Sequence, residues 1–411
     1  MNNPKQPSAT GPLEGLKVLE LASVLAGPSV GMFFAELGAS VLKVENVTTD
    51  GDVTRKWKLP AEPAASDISG YFSSVNWGKV SFAVNLCEQK GLDLIYKLAG
   101  QCDIVLVSYK PGDAEKLRVD FPTLKKYNPA LIYAHITGYG LMNKRAGFDA
   151  IIQAESGFTY MNGEPTGPPV KMPVALMDVL AAHHLKEAIL LALLHRERTG
   201  EGKHIEASLF RAGLASLVNQ ATNWLVGGEI PERLGSDHPN IVPYGTIYAT
   251  SDGKGIVMAA GTDKQFRELV NVLGRPELGS DIRYAKNQDR VRNKQEINQI
   301  LQDLIGSYTR EEILALLSEK RIPAGGVFNM KEVFEVPESG DMLLEGKYDD
   351  GRTIRGVRSI AFSAANGLTG KDLTPPPHYG EHTRTILRDW LQMKDHEIDD
   401  LIAKGVVYAK H

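Results

Sequence analysis

The stretch GPLEGLKVLELASVLAGPSVGMFFAELGASVLKVE, ending at Glu45, constrains the fold more than any other part of the chain. Apolar runs at Lys17 to Leu21 and Ser40 to Glu45 predict two strands, and the residues between them predict a helix from Pro28 to Leu37. Pro28 suits a first helical turn because its missing amide would have no intrahelical acceptor; Gly38 suits the position just past the last turn. A strand, a helix and a strand in this order predict a βαβ unit, whose parallel sheet is covered by helices. The alternation continues with a strand in Val80 to Leu86, a helix from Glu88 to Leu98, a strand in CDIVLVSYKPG and another in PALIYAHITGYG. Residues 17–140 therefore read as a Rossmann-like, doubly wound α/β domain, and such sheets bind ligands beyond the carboxyl ends of their strands.

Those strand ends carry the first candidate residues. Glu45 sits where a dinucleotide-binding fold holds a ribose, but the preceding turn offers Gly27, Pro28 and Gly31 rather than the glycine triplet of that fingerprint. A nicotinamide-dependent dehydrogenase is therefore disfavoured. Lys110 and Lys116 follow the CDIVLVSY strand and read either as phosphate contacts or as ordinary surface lysines.

A second organising stretch runs from Lys171 to Arg211. Leu180, Leu185, Ile189, Leu190, Leu193 and Leu194 recur at helical spacing and predict a helix packed into the protein for most of its length, closed by basic residues and Gly200. Asp178 heads this helix. A carboxylate there is either an N-cap for the free amides of the first turn or a nucleophile held near the core, and helix physics alone leaves both open. His183 and His184 follow on the same helix, where surface or structural roles suit them. Residues Lys203 to Trp224 read as helical again. Short strands and helices then define a smaller α+β domain, and His238 in GSDHPN is either a site lid or a turn residue. Strand-like segments at Asp349 to Phe362, a proline-rich loop and a helix from Thr383 to Ala403 close the chain. The expected organisation is a flexible lead-in at 1–11, a large domain at 12–230, a small domain at 231–336 and a C-terminal segment at 337–411.

Composition narrows the function classes. At 411 residues, with 43% hydrophobic and 23% charged residues, the chain suits two globular cores. The formal net charge of -4 offers no basic surplus for nucleic acid, and no run of about twenty apolar residues suggests a membrane span. The two cysteines are too few for a disulfide framework and fit a reducing cytoplasm, and no Cys/His spacing resembles a metal site.

Taken in order, LKVLELASVLAGP, GASVLKVE, GDVTRKW, NWGKVSFAVNL, CDIVLVSYKPG, NPALIYAHITGYG, GFDAIIQAESG, the MDVLAAHHL helix, RLGSDHPNIVPYGTI, IPAGGV and GEHT resemble the class III CoA-transferase family across nearly the whole chain. That family includes formyl-CoA, carnitine and succinyl-CoA dependent transferases and the α-methylacyl-CoA racemases. The resemblance implies that Asp178 is the nucleophile. The aspartate would attack an acyl-CoA to give a mixed anhydride, pass through an aspartyl-CoA thioester, and hand CoA to a second acid. The helix N-terminus would help keep it ionised.

For CoA itself the resemblance points to Leu25 and Ala26, Asn46, Val84, Asn85 and Leu86, Ser108, Tyr109 and Lys110, Lys116, and Gly147, Phe148 and Asp149. Asn46 stands where some members carry arginine, and Ser108 and Lys110 also depart from the family pattern, so phosphate contacts fall to Lys110, Lys116 or Lys43. Racemases of the family use a histidine where this chain has Phe148, which favours CoA transfer over proton exchange at an α-carbon. The resemblance further implies an intertwined homodimer and no permanently bound cofactor, with acyl-CoA and a small carboxylic acid as substrates. The segment NIVPYGTIYATSDG and the GPPV approach look closest to members using succinyl-CoA or another dicarboxylyl-CoA. The alternatives are a racemase or epimerase, and a non-catalytic CoA-binding protein.

Overall fold

The computed structural model of the protein describes residues 11–363 and 370–410. The lead-in expected at 1–11 lies, Gly11 apart, outside them. The described chain forms two compact units, one built from residues up to 156, 172–227 and 342 onward, the other from 157–171 and 228–341. Residues 157–171, assigned from sequence to the large domain, group with the second unit. Their bonds explain why: the Tyr160 hydroxyl meets Glu232, Arg233 donates to the Tyr160 carbonyl, and the Gly235 amide donates to Gly163.

The first unit is a mixed α/β body around a seven-stranded sheet. Six strands run parallel: β1 (Lys17–Leu21), β2 (Ser40–Asn46), β3 (Lys79–Val84), β4 (Ile104–Val107), β5 (Ile132–Thr137) and β6 (His204–Ser208). A short strand at Val407–Tyr408 adds antiparallel to β3, giving the order 407–408, β3, β2, β1, β4, β5, β6. β4 (IVLV) and β5 are buried throughout and β3 everywhere but Val80, with the polar side chains of Lys79, Ser81 and His135 buried among the apolar ones. Strand order reverses at β1 and β4, so their two exit loops part there and leave a crevice. The Ser23 amide donates to Ser108 Oγ at 3.2 Å and ties one loop to the other.

The Asp178 helix spans Leu176–Thr199, and Gly200 follows in the left-handed conformation (φ 75°). Leu185, Ile189 and Leu193 are buried, each worth about 2 kcal/mol of apolar transfer. The expected packing fails on one side, where Leu190, Leu191 and Leu194 are 40%, 68% and 45% exposed. Residues Lys203 to Trp224 are not simply helical. His204–Ser208 forms β6, followed by helices at Leu209–Ala215 and Asn219–Leu225. The C-terminal helix is also broken: helical turns at Thr383–Trp390 end at Gln392 (φ 54°), and a separate helix covers Asp395–Ala403.

The second unit has a three-stranded antiparallel sheet, β7 (Tyr244–Ala249), β8 (Gly255–Ala259) and β9 (Ala324–Val327), in that order. Its core includes Tyr248, Ile256, Phe266, Leu269, Ile297, Leu301, Ile313 and Leu317. Three of its helices begin with reciprocal caps, Thr262 with Gln265, Thr309 with Glu312 and Asn329 with Glu332. His238 belongs to a turn here, its Nδ1 accepting the Asn240 amide at 3.1 Å. Among the described residues no helix is long and apolar enough to cross a membrane.

Candidate active site

At the β1/β4 crevice a cavity of about 230 Å³ collects Asp178 with Leu25, Ala26, Ser108, Tyr109, Lys110, Gly147, Phe148 and Asp149. Chain segments far apart in sequence thus converge on one carboxylate. Gly147 contributes by lacking a side chain, since a Cβ on it would fall onto the backbone of the facing Gly138, 2.3 Å from its Cα.

Asp178 is the third residue of its helix and caps nothing. Ala175 holds the cap position without a side-chain bond, and Asp149 takes over the task from a separate helix, Asp149–Glu155. Its Oδ1 accepts the Met177 amide at 2.8 Å, and its Oδ2 accepts Gln153 Nε2 at 2.7 Å. The N-cap reading of Asp178 is therefore corrected. No hydrogen bond reaches its carboxylate among the described residues. Burial, and then the negative charge of Asp149, push its pKa up to about 7. Burial and Asp149 thus oppose the helix end, which was expected to favour the ionised form.

A second cavity of about 620 Å³ adjoins through shared residues Ser23 and Tyr109 and is walled by Asn46, Val84 and Leu86. Two expected contacts line neither cavity. Asn85 closes a turn by accepting the Cys87 amide at 3.0 Å, and exposed Lys116 pairs with Asp113 at 2.8 Å. Lys43 is excluded as a free phosphate contact. It is fully buried, 2.8 Å from Asp52 and 3.3 Å from Glu20, and these acids hold its pKa above the ordinary lysine value despite burial. Glu45 holds no ribose. Its carboxylate receives both Arg55 Nε at 2.8 Å and Nη2 at 2.6 Å, and Ser81 Oγ at 2.6 Å.

This buried ionic layer shapes the cavity from below. Lys79 joins it at 2.8 Å from Glu20 and also donates to the Pro28 carbonyl at 2.7 Å. Asp52 accepts the Val24 amide at 3.3 Å and so holds a β-branched residue at φ 73°, beside Leu25. That conformation costs a valine of order 1 kcal/mol or more, so the layer fixes a strained cavity wall. Sequence reasoning missed this function of Glu20, Asp52 and Lys79, and also missed Tyr71 and Arg145. Burial, and then the charges of Asp178 and Asp149, raise the Tyr71 phenol pKa, and its ring meets Trp57 edge-on at 5.0 Å, though it lines neither cavity. Arg145 lines the Asp178 cavity, pairs with Glu155 and lies 4.3 Å over the Tyr139 ring. An aromatic pair and an arginine inside otherwise polar loops were the available signals. His183 is exposed, and so is His184, which stands 3.5 Å from Glu187; neither lines the cavity.

The mixed α/β fold, with its largely parallel sheet and two carboxylates, Asp149 and Asp178, in a cavity at the switch point, has the layout of an α/β enzyme. The profile of CoA-transferase family III matches residues 13–383, and the chain belongs to that family. It is similar to the succinate–glutarate CoA-transferase of Agrobacterium fabrum, 37% identical over 93% of this chain and 96% of that one. It is also 35% identical to the succinyl-CoA:glutarate CoA-transferase of Homo sapiens, over 99% of this chain and 91% of that one. Among solved structures, a CAIB/BAIF family protein from Brucella suis aligns with TM-score 0.82 and 36% identity, covering 92% of this chain and 98% of that one. The protein is thus a CoA-transferase, an enzyme whose substrates are CoA thioesters.

Proposed function

We propose that the protein moves CoA from succinyl-CoA or another dicarboxylyl-CoA to a second dicarboxylic acid, with Asp178 as covalent nucleophile. The observation that carries this reading is the unbonded Asp178 carboxylate in a cavity at the sheet's switch point. The names of the relatives support the dicarboxylate class. Ionised Asp178 attacks the thioester carbon and expels CoA thiolate, leaving an acyl-aspartyl anhydride. The thiolate attacks Cγ of Asp178 and releases the donor acid, giving an aspartyl-CoA thioester. The acceptor carboxylate then displaces the thiolate at Cγ, and the thiolate attacks the acceptor's carbonyl, freeing Asp178 and the new acyl-CoA. Lys110 and Arg145 serve the CoA phosphates, Leu25, Ala26, Tyr109 and Gly147 line the path of the pantetheine arm, and the larger cavity takes the nucleotide.

With Phe148 in place of a histidine, and with Asp149 committed to the Met177 amide and Gln153, two-base racemisation is disfavoured. The exposed Leu190, Leu191 and Leu194 face fits burial against a second copy, in keeping with a homodimer. The test is to incubate the purified protein with succinyl-CoA and a panel of dicarboxylic acids. New acyl-CoA species, and a hydroxylamine-trapped adduct at Asp178, are expected. Failure of exchange across the panel, with deuterium entering the α-carbon of a 2-methylacyl-CoA, refutes the proposal.

A further inference from the structure

The helix carrying Asp178 owes the placement of its first turn to a side chain outside the cavity. Gln153 is fully buried in the Asp149–Glu155 helix, one turn beyond Asp149. Its Nε2 lies 2.7 Å from Asp149 Oδ2, 3.2 Å from the Val174 carbonyl and 3.3 Å from the Met172 carbonyl, and its Oε1 accepts the Met172 amide at 2.8 Å. Asp149, oriented in this way, accepts the Met177 amide, one residue before Asp178. A single amide therefore pins the segment leading into the nucleophile's helix and aims the carboxylate that caps it. Only a carboxamide can do both, because the task needs two N–H donors and a carbonyl acceptor on one group. A glutamate of the same shape keeps the acceptor, loses the donors and sets a second carboxylate against Asp149.

We infer that Gln153 is a positioning residue for CoA transfer, fixing through Asp149 and residues 172–177 where the Asp178 carboxylate stands relative to the thioester. The inference rests on the reading of Asp178 as nucleophile. Nucleophilic attack is sensitive to misplacement on the scale of an ångström, whereas the cavity walls at Leu25, Ala26 and Ser108 to Lys110 stand on segments that Gln153 does not touch. Loss of Gln153 should therefore slow chemistry and spare binding.

The experiment compares the unmodified enzyme, Gln153→Glu, and Gln153→Glu combined with Asp149→Asn, using succinyl-CoA and an accepted dicarboxylate. In Gln153→Glu, kcat falls about 10- to 100-fold while KM for succinyl-CoA stays within about threefold, and the hydroxylamine-trappable adduct forms more slowly by the same factor. The double variant restores the bond in the reverse sense: the introduced asparagine donates from its Nδ2 to the introduced glutamate, and its Oδ1 still accepts from Met177. It recovers at least about fivefold in kcat over Gln153→Glu. A single variant with unchanged kcat, a KM that rises as far as kcat falls, or a double variant without recovery overturns the inference. An Asp178→Ala control separates the two claims. Transfer by that variant defeats the nucleophile reading, whereas its inactivity beside a normal Gln153→Glu defeats the positioning role alone. If Gln153→Glu does not fold, amide exchange on the unmodified protein decides: the Met177 amide is slowed at least about tenfold by its cap, and free exchange there overturns the inference.

Discussion

Asp178→Asn should stabilise the protein, and should do so in a pH-dependent way. The Asp178 carboxyl titrates near 3.8 when unperturbed and at about 7 in the folded cavity. The folded state thus binds a proton that the unfolded chain has released. The cost of ionising Asp178 is absent below about pH 4, grows between pH 4 and 7, and is complete above pH 7. Three pH units correspond to about 4 kcal/mol, which partial solvent access reduces to roughly 2–4 kcal/mol. An asparagine of equal size carries no charge to desolvate and feels no repulsion from Asp149. At pH 8 it should recover most of this sum, raising Tm by roughly 2–5 °C, whereas at pH 5 only about 1 kcal/mol is gained. Thermal melts of both proteins at pH 5, 6.5 and 8, backed by urea titrations, measure the difference, and transfer assays show the variant inactive. A gain that is equal at all three values, or largest at pH 5, refutes the reasoning. For the intact enzyme the same ionisation sets activity: with a pKa of about 7, kcat/KM for acyl-CoA rises about tenfold from pH 6 to 8.

Three further outcomes follow from the geometry. Lys43→Met leaves Glu20 and Asp52 buried with one countercharge fewer, and urea denaturation should show a loss of about 3–5 kcal/mol. Lys110→Ala and Arg145→Ala should each raise KM for succinyl-CoA about tenfold, while Lys116→Ala, exposed and paired with Asp113, changes it less than about twofold. Gly147→Ala drives a methyl group into the Gly138 backbone and should cost about 2 kcal/mol, with weaker acyl-CoA binding by calorimetry.

The parallel strands were legible because most of their residues are apolar even where a buried charge such as Glu20 interrupts the run, and β1 falls where its sequence predicts, at Lys17–Leu21. β6 was obscured because HIEAS is an edge strand, mostly half-exposed, with too little apolar character to separate it from the helix that follows. Asp178 stood out as an acid at the head of a helix, yet two roles fit that position equally. The choice depended on Asp149, far away in sequence, which fills the capping role through a tertiary contact that no local pattern encodes. Lys43 misled for a similar reason: a lysine within a strand reads as solvent-facing, and only the fold brings Glu20 and Asp52 around it. Gln153 left no signal, since a buried glutamine looks like a surface residue until its partners are in place.

The pairing of Val407–Tyr408 with β3 sets a timetable for synthesis. Roughly 320 residues separate the two strands, which at ribosomal speeds is on the order of 15–60 s. Through that interval the outer edge of β3 offers unpaired amides and carbonyls to any neighbouring nascent chain. The turn beginning at Asn85, whose amide donates to the Val406 carbonyl, also waits for its anchor. The second unit is translated in the meantime and has a core of its own to bury. The unpaired β3 edge thus persists until most of the chain has been made and is covered only when Val407–Tyr408 arrives.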